Sequence, residues 1–215
     1  VAYVNGGISG KFTDPEISLQ ARMPFFDYQN YRIEDINLRT KYNDHRLEIE
    51  EFEMSVDDAK ITGSGYVDKP LSESANQAAI TFKTDQLFYS SLSDFLKLDL
   101  PLSGELKAEL NLSGNIRDPR ADFSINSENT ILKTADREFE LDTLQAAVIR
   151  ENGNFSLNNL EASDGNIDLT ASGNYNLNSG LDINFNIDNI VPADYANIEG
   201  FSGVITADGN ISGEV

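Results

Sequence analysis

The clearest pattern in the chain is a strict alternation of apolar and polar residues. In GLDINFNID (180–188), apolar residues occupy every second position from Leu181 to Ile187, and Asp or Asn lies between them. The segment ELKAELNL (105–112) alternates in the same way. A period of two places the apolar side chains of a strand on one face of a sheet. We therefore predict an all-β protein whose strands have one apolar and one polar face.

Two segments keep an apolar face although their alternation slips by one residue. The slip follows Ile49 in HRLEIEEFEM (45–54) and Leu157 in NFSLNNLEA (154–162). A β-bulge inserts one residue into a strand, bends it and increases its twist. Both slips are therefore predicted to be bulges.

Similar segments recur about a hundred residues apart. Residues 33–68 match residues 141–176, which lie 108 positions later, and residues 103–116 match 202–215, which lie 99 positions later. Because the offset drifts while the strands still match, insertions are expected in the loops. The predicted repeating unit has six or seven antiparallel strands and then a short helical crossing.

Two segments interrupt the β pattern and supply the predicted crossings. SSLSDFLKL (90–98) has apolar residues at helical spacing after a serine that can cap a helix. PADYANIEG (192–200) begins with proline, which suits the first position of a helix. Each is predicted to form a helix of one or two turns.

The matches predict three parts of the chain: a first repeat over 1–109, a second over 110–209, and the start of a third over 210–215. Both ends resemble strands cut within the repeated phrase, so we expect an excised fragment of a longer protein. No linker rich in Gly, Pro and Ser separates the copies. Continuous stacking, as in solenoids, is therefore favoured over two separate sandwiches.

Composition and charge exclude several classes of partner. The chain has 16 basic and 36 acidic residues, a net charge of −20, and no cysteine. Binding to nucleic acid or to an anionic membrane surface requires clustered Lys and Arg, so neither is expected. Disulfides and thiolate metal sites are excluded by the lack of cysteine.

The sequence contains no pattern typical of an active site. The single histidine, His45, is predicted in a hairpin turn, and the matched position in the second repeat is Gly153. The segment SDGN (163–166) is typical of a hairpin turn rather than of calcium ligands. DINFN at 182–186 resembles the start of an EF-hand loop, but Ile187 stands where that loop needs glycine. We predict no enzymatic activity, no metal and no cofactor.

The phrase LSGNIRDPRADF (112–123) and the following residues 154–188 resemble the repeats of TamB and the wider AsmA-like family of the Gram-negative envelope. Repeats of that family have a Gly-led strand, an Asp/Asn-Pro turn and a spaced series of apolar residues and glycines before an alternating strand. In the second copy the series is Phe155, Leu157, Leu160, Gly165, Ile167, Leu169 and Gly173, and in the first it is Leu47, Ile49, Phe52, Ile61 and Gly65.

This resemblance implies an elongated, curled antiparallel sheet, a β-taco, with an apolar groove inside. Proteins of the family are thought to span the periplasm, anchored in the inner membrane, and to pass phospholipid between the inner and outer membranes. TamB is also connected with the assembly of outer-membrane proteins, together with a barrel partner, TamA. The resemblance therefore implies a periplasmic protein that contacts phospholipid acyl chains, with a TamA-like barrel as a further partner.

The implied lipid-binding residues are the apolar side chains that would line the groove. They are Leu47, Ile49, Phe52, Met54, Ile80, Phe82, Leu110, Leu112, Phe155, Leu157, Leu160, Ile167, Leu169, Ile183, Phe185 and Ile187.

Two other functions remain open at this point. One is an assembly factor whose sheet edge adds a strand to an outer-membrane client. The other is a structural stalk of stacked β units whose interior is filled by its own side chains. A stalk predicts fully buried apolar residues, whereas a conduit predicts an apolar face that is left open.

Overall fold

A computed structural model describes residues 1–11, 14–28, 31–56, 59–70, 76–96, 99–134, 137–176, 179–190 and 203–213. In these ranges the chain forms fourteen strands and one helix of eight residues. The strands are β1 (Tyr3–Lys11), β2 (Asp14–Tyr28), β3 (Tyr31–Asn43), β4 (Arg46–Val56), β5 (Ala59–Asp68), β6 (Gln77–Phe88), β7 (Leu102–Ser103), β8 (Glu105–Asn115), β9 (Arg120–Lys133), β10 (Glu138–Glu151), β11 (Asn154–Ser163), β12 (Asp168–Asn176), β13 (Gly180–Ile190) and β14 (Ile205–Gly213). The helix, α1, is Tyr89–Leu96.

The strands form one open antiparallel sheet. Strands that follow one another along the chain are neighbours in the sheet, except that β8 lies beside β6, and the short β7 pairs with β9 away from this path. β1 and β14 are the two ends of the strand order. The prediction of an all-β, antiparallel protein is therefore confirmed.

Both predicted bulges are present. From Ile49 to Phe52, β4 advances three residues while its partner β5 advances two. From Leu157 to Leu160, β11 likewise advances three residues while its partner β12 advances two. The extra residue keeps the apolar side chains of each strand on one face, so the slips in the sequence were correctly interpreted.

The hairpin before each bulged strand has the geometry of a two-residue turn with left-handed backbone. Asp44 and His45 between β3 and β4 have φ of 47° and 62°, and Asn152 and Gly153 between β10 and β11 have φ of 50° and 76°. Positive φ at both central residues is the requirement of a type I′ turn, whose twist matches that of the flanking strands. His45 thus lies in a hairpin turn, as predicted.

The first predicted helix is confirmed as α1. The Tyr89 N–H donates a hydrogen bond to the carbonyl oxygen of Gly104 (3.2 Å), which attaches the start of the helix just before β8. The Tyr89 side chain is buried together with Leu106 and Thr130. The second predicted helix, at 192–200, lies outside the described residues.

The chain divides into two compact units. The first contains Val1–Leu87 and Lys107–Ala121, and the second contains Phe88–Leu106 and Asp122–Val215. These are units of packing, and the repeat boundaries after residues 109 and 209 remain predictions from the sequence.

Candidate functional site

In the first unit, the register of the strands aligns apolar residues in rows. Directly opposed residues of an antiparallel pair project from the same face, so each row belongs to one face of the sheet. Read from β1 to β6, three neighbouring rows are Ile8, Ile17, Tyr42, Leu47, Val67 and Ala78; then Gly6, Leu19, Thr40, Ile49, Gly65 and Ile80; then Val4, Ala21, Leu38, Phe52, Gly63 and Phe82. A further pair, Met54 with Ile61, continues the face beyond these rows.

Glycines on this face let the aromatic rings lie close to the sheet. The rings of Phe52 and Phe82 are 5.8 Å apart and nearly perpendicular, at 87°. A Cβ added at Gly63, between them in the row, would lie 2.8 Å from the Phe82 ring. A side chain at position 63 would therefore displace that ring.

The predicted residues of β8 lie on the same face as those of β6. On the polar face, Thr81 donates a hydrogen bond to the side-chain oxygen of Asn111 (2.6 Å). Since side chains alternate along a strand, the neighbours of Asn111, Leu110 and Leu112, project from the opposite face. That face also holds Ile80 and Phe82.

The polar face of the first unit contains a small charged network between β6 and β8. The Lys83 ammonium lies 2.9 Å from one carboxylate oxygen of Glu109, and the Asn111 side-chain NH₂ donates to the other at 2.8 Å. The hydrogen bond from Lys83 and then that from Asn111 hold the pKa of Glu109 below its usual value. This pair therefore contributes stability above the ordinary pKa of glutamate, and the contribution is lost as the pH falls through the lowered value.

Lys83→Met is expected to raise the pKa of Glu109 towards the ordinary value of glutamate. The substitution removes the largest cause of the lowered pKa while Asn111 keeps its hydrogen bond. Carboxyl-carbon chemical shifts followed by NMR against pH would measure the change. An unchanged Glu109 midpoint in the variant would contradict the assigned pairing.

The second unit has a corresponding apolar face. Read from β10 to β14, its rows are Val148, Leu157, Gly173, Ile183 and Ile211; then Ala146, Leu160, Ala171, Phe185 and Gly209; then Leu144, Ala162, Leu169, Ile187 and Ala207. The Phe185 ring lies over a glycine, as Phe82 does, because a Cβ at Gly209 would be 2.5 Å from its Cζ atom.

A fourth row ends this face near the Asn152–Gly153 turn. It contains Arg150, Phe155, Tyr175, Leu181 and Gly213. The rings of Phe155 and Tyr175 lie 6.1 Å apart at 43°. Arg150 and Tyr175 were not among the residues predicted from the sequence, although each lies two positions from a residue of this face, Val148 and Gly173 respectively.

Ile167 is the predicted site residue that lies outside a strand. It is in the connection before β12, where its backbone N–H donates to the Asp164 carboxylate at 2.7 Å. The Asn166 N–H donates to the same oxygen at 2.9 Å. The Asp164 carboxylate thus organises a tight turn, which confirms the hairpin predicted for 163–166.

All sixteen predicted residues remain partly exposed. Fifteen are half-buried, and Phe155 is 38% exposed. Among the described residues, the buried apolar side chains are Ala59, Val67, Ala78, Tyr89, Leu106 and Leu144, and three of them, Val67, Ala78 and Leu144, belong to the rows above. The apolar faces are therefore incompletely covered by the protein itself.

The opposite face of the second unit is covered by asparagine and aspartate. The Asn210 side-chain NH₂ donates to Asp182 at 2.6 Å and to Asn184 at 3.0 Å. Ser156 donates to the side-chain oxygen of Asn174 at 2.8 Å on the same face. This surface can satisfy its hydrogen bonds in water, in contrast to the apolar face behind it.

No protein-family model, curated protein or solved structure matches this chain. Within the described ranges, no group of three or more metal-binding side chains is close enough to hold a metal ion. Nor does any helix of these ranges have the length and hydrophobicity needed to cross a bilayer.

Proposed function

We propose that this chain is a segment of a periplasm-spanning protein of the AsmA-like type, whose apolar sheet faces conduct phospholipid acyl chains between the inner and outer membranes. The observation that carries the proposal is the partial exposure of all sixteen predicted groove residues. Removing apolar surface from water is favourable by about 25 cal/mol per Å², so the binding of an acyl chain to this face would be favourable.

The shape proposed for the conduit is a curled sheet with the apolar face inside. Bulges bend strands and increase their twist, and each unit has one at the same place in its apolar face, at Ile49–Phe52 and at Leu157–Leu160. Two bulges at matched positions support both the curl and the proposed repeat. The acidic and amide-rich outer face would then be in contact with the periplasm.

The partial exposure favours a conduit over a stalk with a self-filled core. A core that fills itself reaches crystal-like packing density, and its large aliphatic side chains are fully buried. Here Ile49, Phe82, Leu157 and Phe185 are only half-buried. Most of the lining side chains are aliphatic or aromatic, so they would bind acyl chains without selecting among them, which suits passage rather than storage.

Site-specific photo-crosslinking tests the proposed conduit. A photoreactive residue at Phe185 is expected to form phospholipid adducts when the protein is produced in the periplasm of a Gram-negative host, because position 185 is on the apolar face. The matched position is Asn184, which is next to Phe185 in β13 and points to the other face. Adducts would be identified by mass spectrometry.

Two results would contradict the conduit. Equal lipid capture at 184 and 185 would mean that capture does not depend on the apolar face. Capture of protein strands but no lipid at either position would favour the assembly factor.

A further inference from the structure

One charged side chain lies in the four rows that the structure describes on the apolar face of the second unit. Across its four rows, from Leu144 in β10 to Gly213 in β14, that residue is Arg150. It is half-buried and lies directly opposite Phe155. The corresponding residue of the first unit, opposite Leu47, is Tyr42, so the cation is a feature of the second unit alone.

The charge distribution along the sequence makes this position distinctive. Residues 151–215 contain ten Asp and Glu residues and no Lys or Arg. Arg150 is therefore the one cation in the four rows that cross β11–β14. A guanidinium group has five N–H donors and can donate two parallel hydrogen bonds to one phosphate. Arg150 can therefore bind a phosphate in addition to the contact that it already makes within the protein.

The rows beyond Arg150 provide a surface of suitable length for an acyl chain. Val148, Ala146 and Leu144 precede Arg150 at every second position of β10, with Leu144 already buried at the far end. Six residues of strand cover ~20 Å. One leaflet of a bilayer has a hydrocarbon thickness of ~15 Å, half of the ~30 Å core. A lipid with its head at Arg150 can therefore lay its acyl chains along the aliphatic rows.

We propose that Arg150 binds the phosphate of a phospholipid headgroup and sets the direction in which the lipid lies on this face. This inference rests on the proposed lipid conduit and deepens it, because it names the headgroup contact and the polarity of the bound lipid. The headgroup lies near the Asn152–Gly153 turn. The acyl chains run towards Leu169 and Ile187, on the far row of the same face.

The test compares a phospholipid with the diacylglycerol that has the same acyl chains, in competition for the whole chain, by native mass spectrometry. The wild-type protein is expected to prefer the phospholipid by about 10-fold or more, since hydrogen bonds between charged groups are the strong ones. Arg150→Gln is expected to reduce this preference to within about 2-fold. Arg150→Lys is expected to retain part of it, because lysine keeps the charge and loses the bidentate fork.

Arg39→Gln is the control, since it removes one cation from the polar face of the first unit. Arg39 is paired there with Glu51 at 3.1 Å, and its neighbours Leu38 and Thr40 belong to rows of the apolar face. This variant is expected to keep the wild-type preference. Thermal unfolding monitored by circular dichroism of all variants would show that a lost preference does not reflect unfolding.

The outcomes separate the inference from the function on which it rests. Binding of neither lipid by the wild type would overturn the conduit itself. Equal binding of both lipids, or a preference that survives in Arg150→Gln, would overturn the role of Arg150 and leave the conduit standing. Inorganic phosphate alone is expected not to displace the lipid; displacement would show that Arg150 recognises free phosphate rather than a headgroup.

Discussion

Ile183→Arg is expected to abolish lipid capture at Phe185, with at least a 10-fold loss of adduct, while the protein stays folded. Ile183 lies in the row between Gly173 and Ile211, next to the row of Phe185. An acyl chain on this face would have to cover the new charge, and burying an unpaired charge is strongly unfavourable. Because Ile183 is only half-buried in the free protein, its replacement can keep the guanidinium in water when no lipid is bound.

The matched control for Ile183→Arg is Asn184→Arg, which adds the same charge to the neighbouring position on the polar face. It is expected to capture lipid at the wild-type level. Thermal unfolding and adduct yield would be measured on both variants. Unfolding of Ile183→Arg, combined with no adduct in the wild type, would support the stalk with a self-filled core.

Gly173→Ala is expected to lower the free energy of unfolding by ~2–3 kcal/mol, as overpacking in a well-packed region does. A Cβ at position 173 would clash with the carbonyl oxygen of Asp182 and lie 2.7 Å from the Cα of Ile183. Both atoms belong to the backbone of the adjacent strand, so relief requires the strands to separate. A Cβ added at Gly65, the matched position of the first unit, would likewise clash with the carbonyl oxygen of Ala79 and lie 2.6 Å from the Cα of Ile80.

Gly213→Ala provides the control for the glycine prediction. No atom lies within 4 Å of a Cβ added at Gly213, so this variant is expected to unfold within ~0.5 kcal/mol of the wild type. Urea unfolding followed by circular dichroism would give both values. Similar stability of Gly173→Ala and Gly213→Ala would show that the strands can relax around position 173.

The local structure of this protein was largely predictable because it depends on contacts between neighbours in sequence. Alternation indicated the strands and their apolar faces, and the one-residue slips after Ile49 and Leu157 located the bulges in β4 and β11. A turn of two residues requires left-handed backbone, for which Asp44, Asn152 and Gly153 are suited. The helical spacing in 90–98 predicted α1.

The pairing partners of each residue were decided only by the tertiary structure. The register places Arg150, Phe155 and Tyr175, from three different strands, in one row. This row could not be predicted from the sequence, because it depends on the lengths of the hairpins and on the bulge in β11. The sequence also did not predict that the backbone of the adjacent strand lies close to Gly65 and Gly173, because this distance depends on how the strands pack.

The exposure of the apolar face also could not be predicted from the sequence. Alternation determined which side chains share a face, because the strand period of two fixes their directions. It did not determine whether a second layer covers that face, since burial depends on what packs against the sheet from elsewhere in the chain. The structure decided this, leaving the sixteen predicted residues partly exposed.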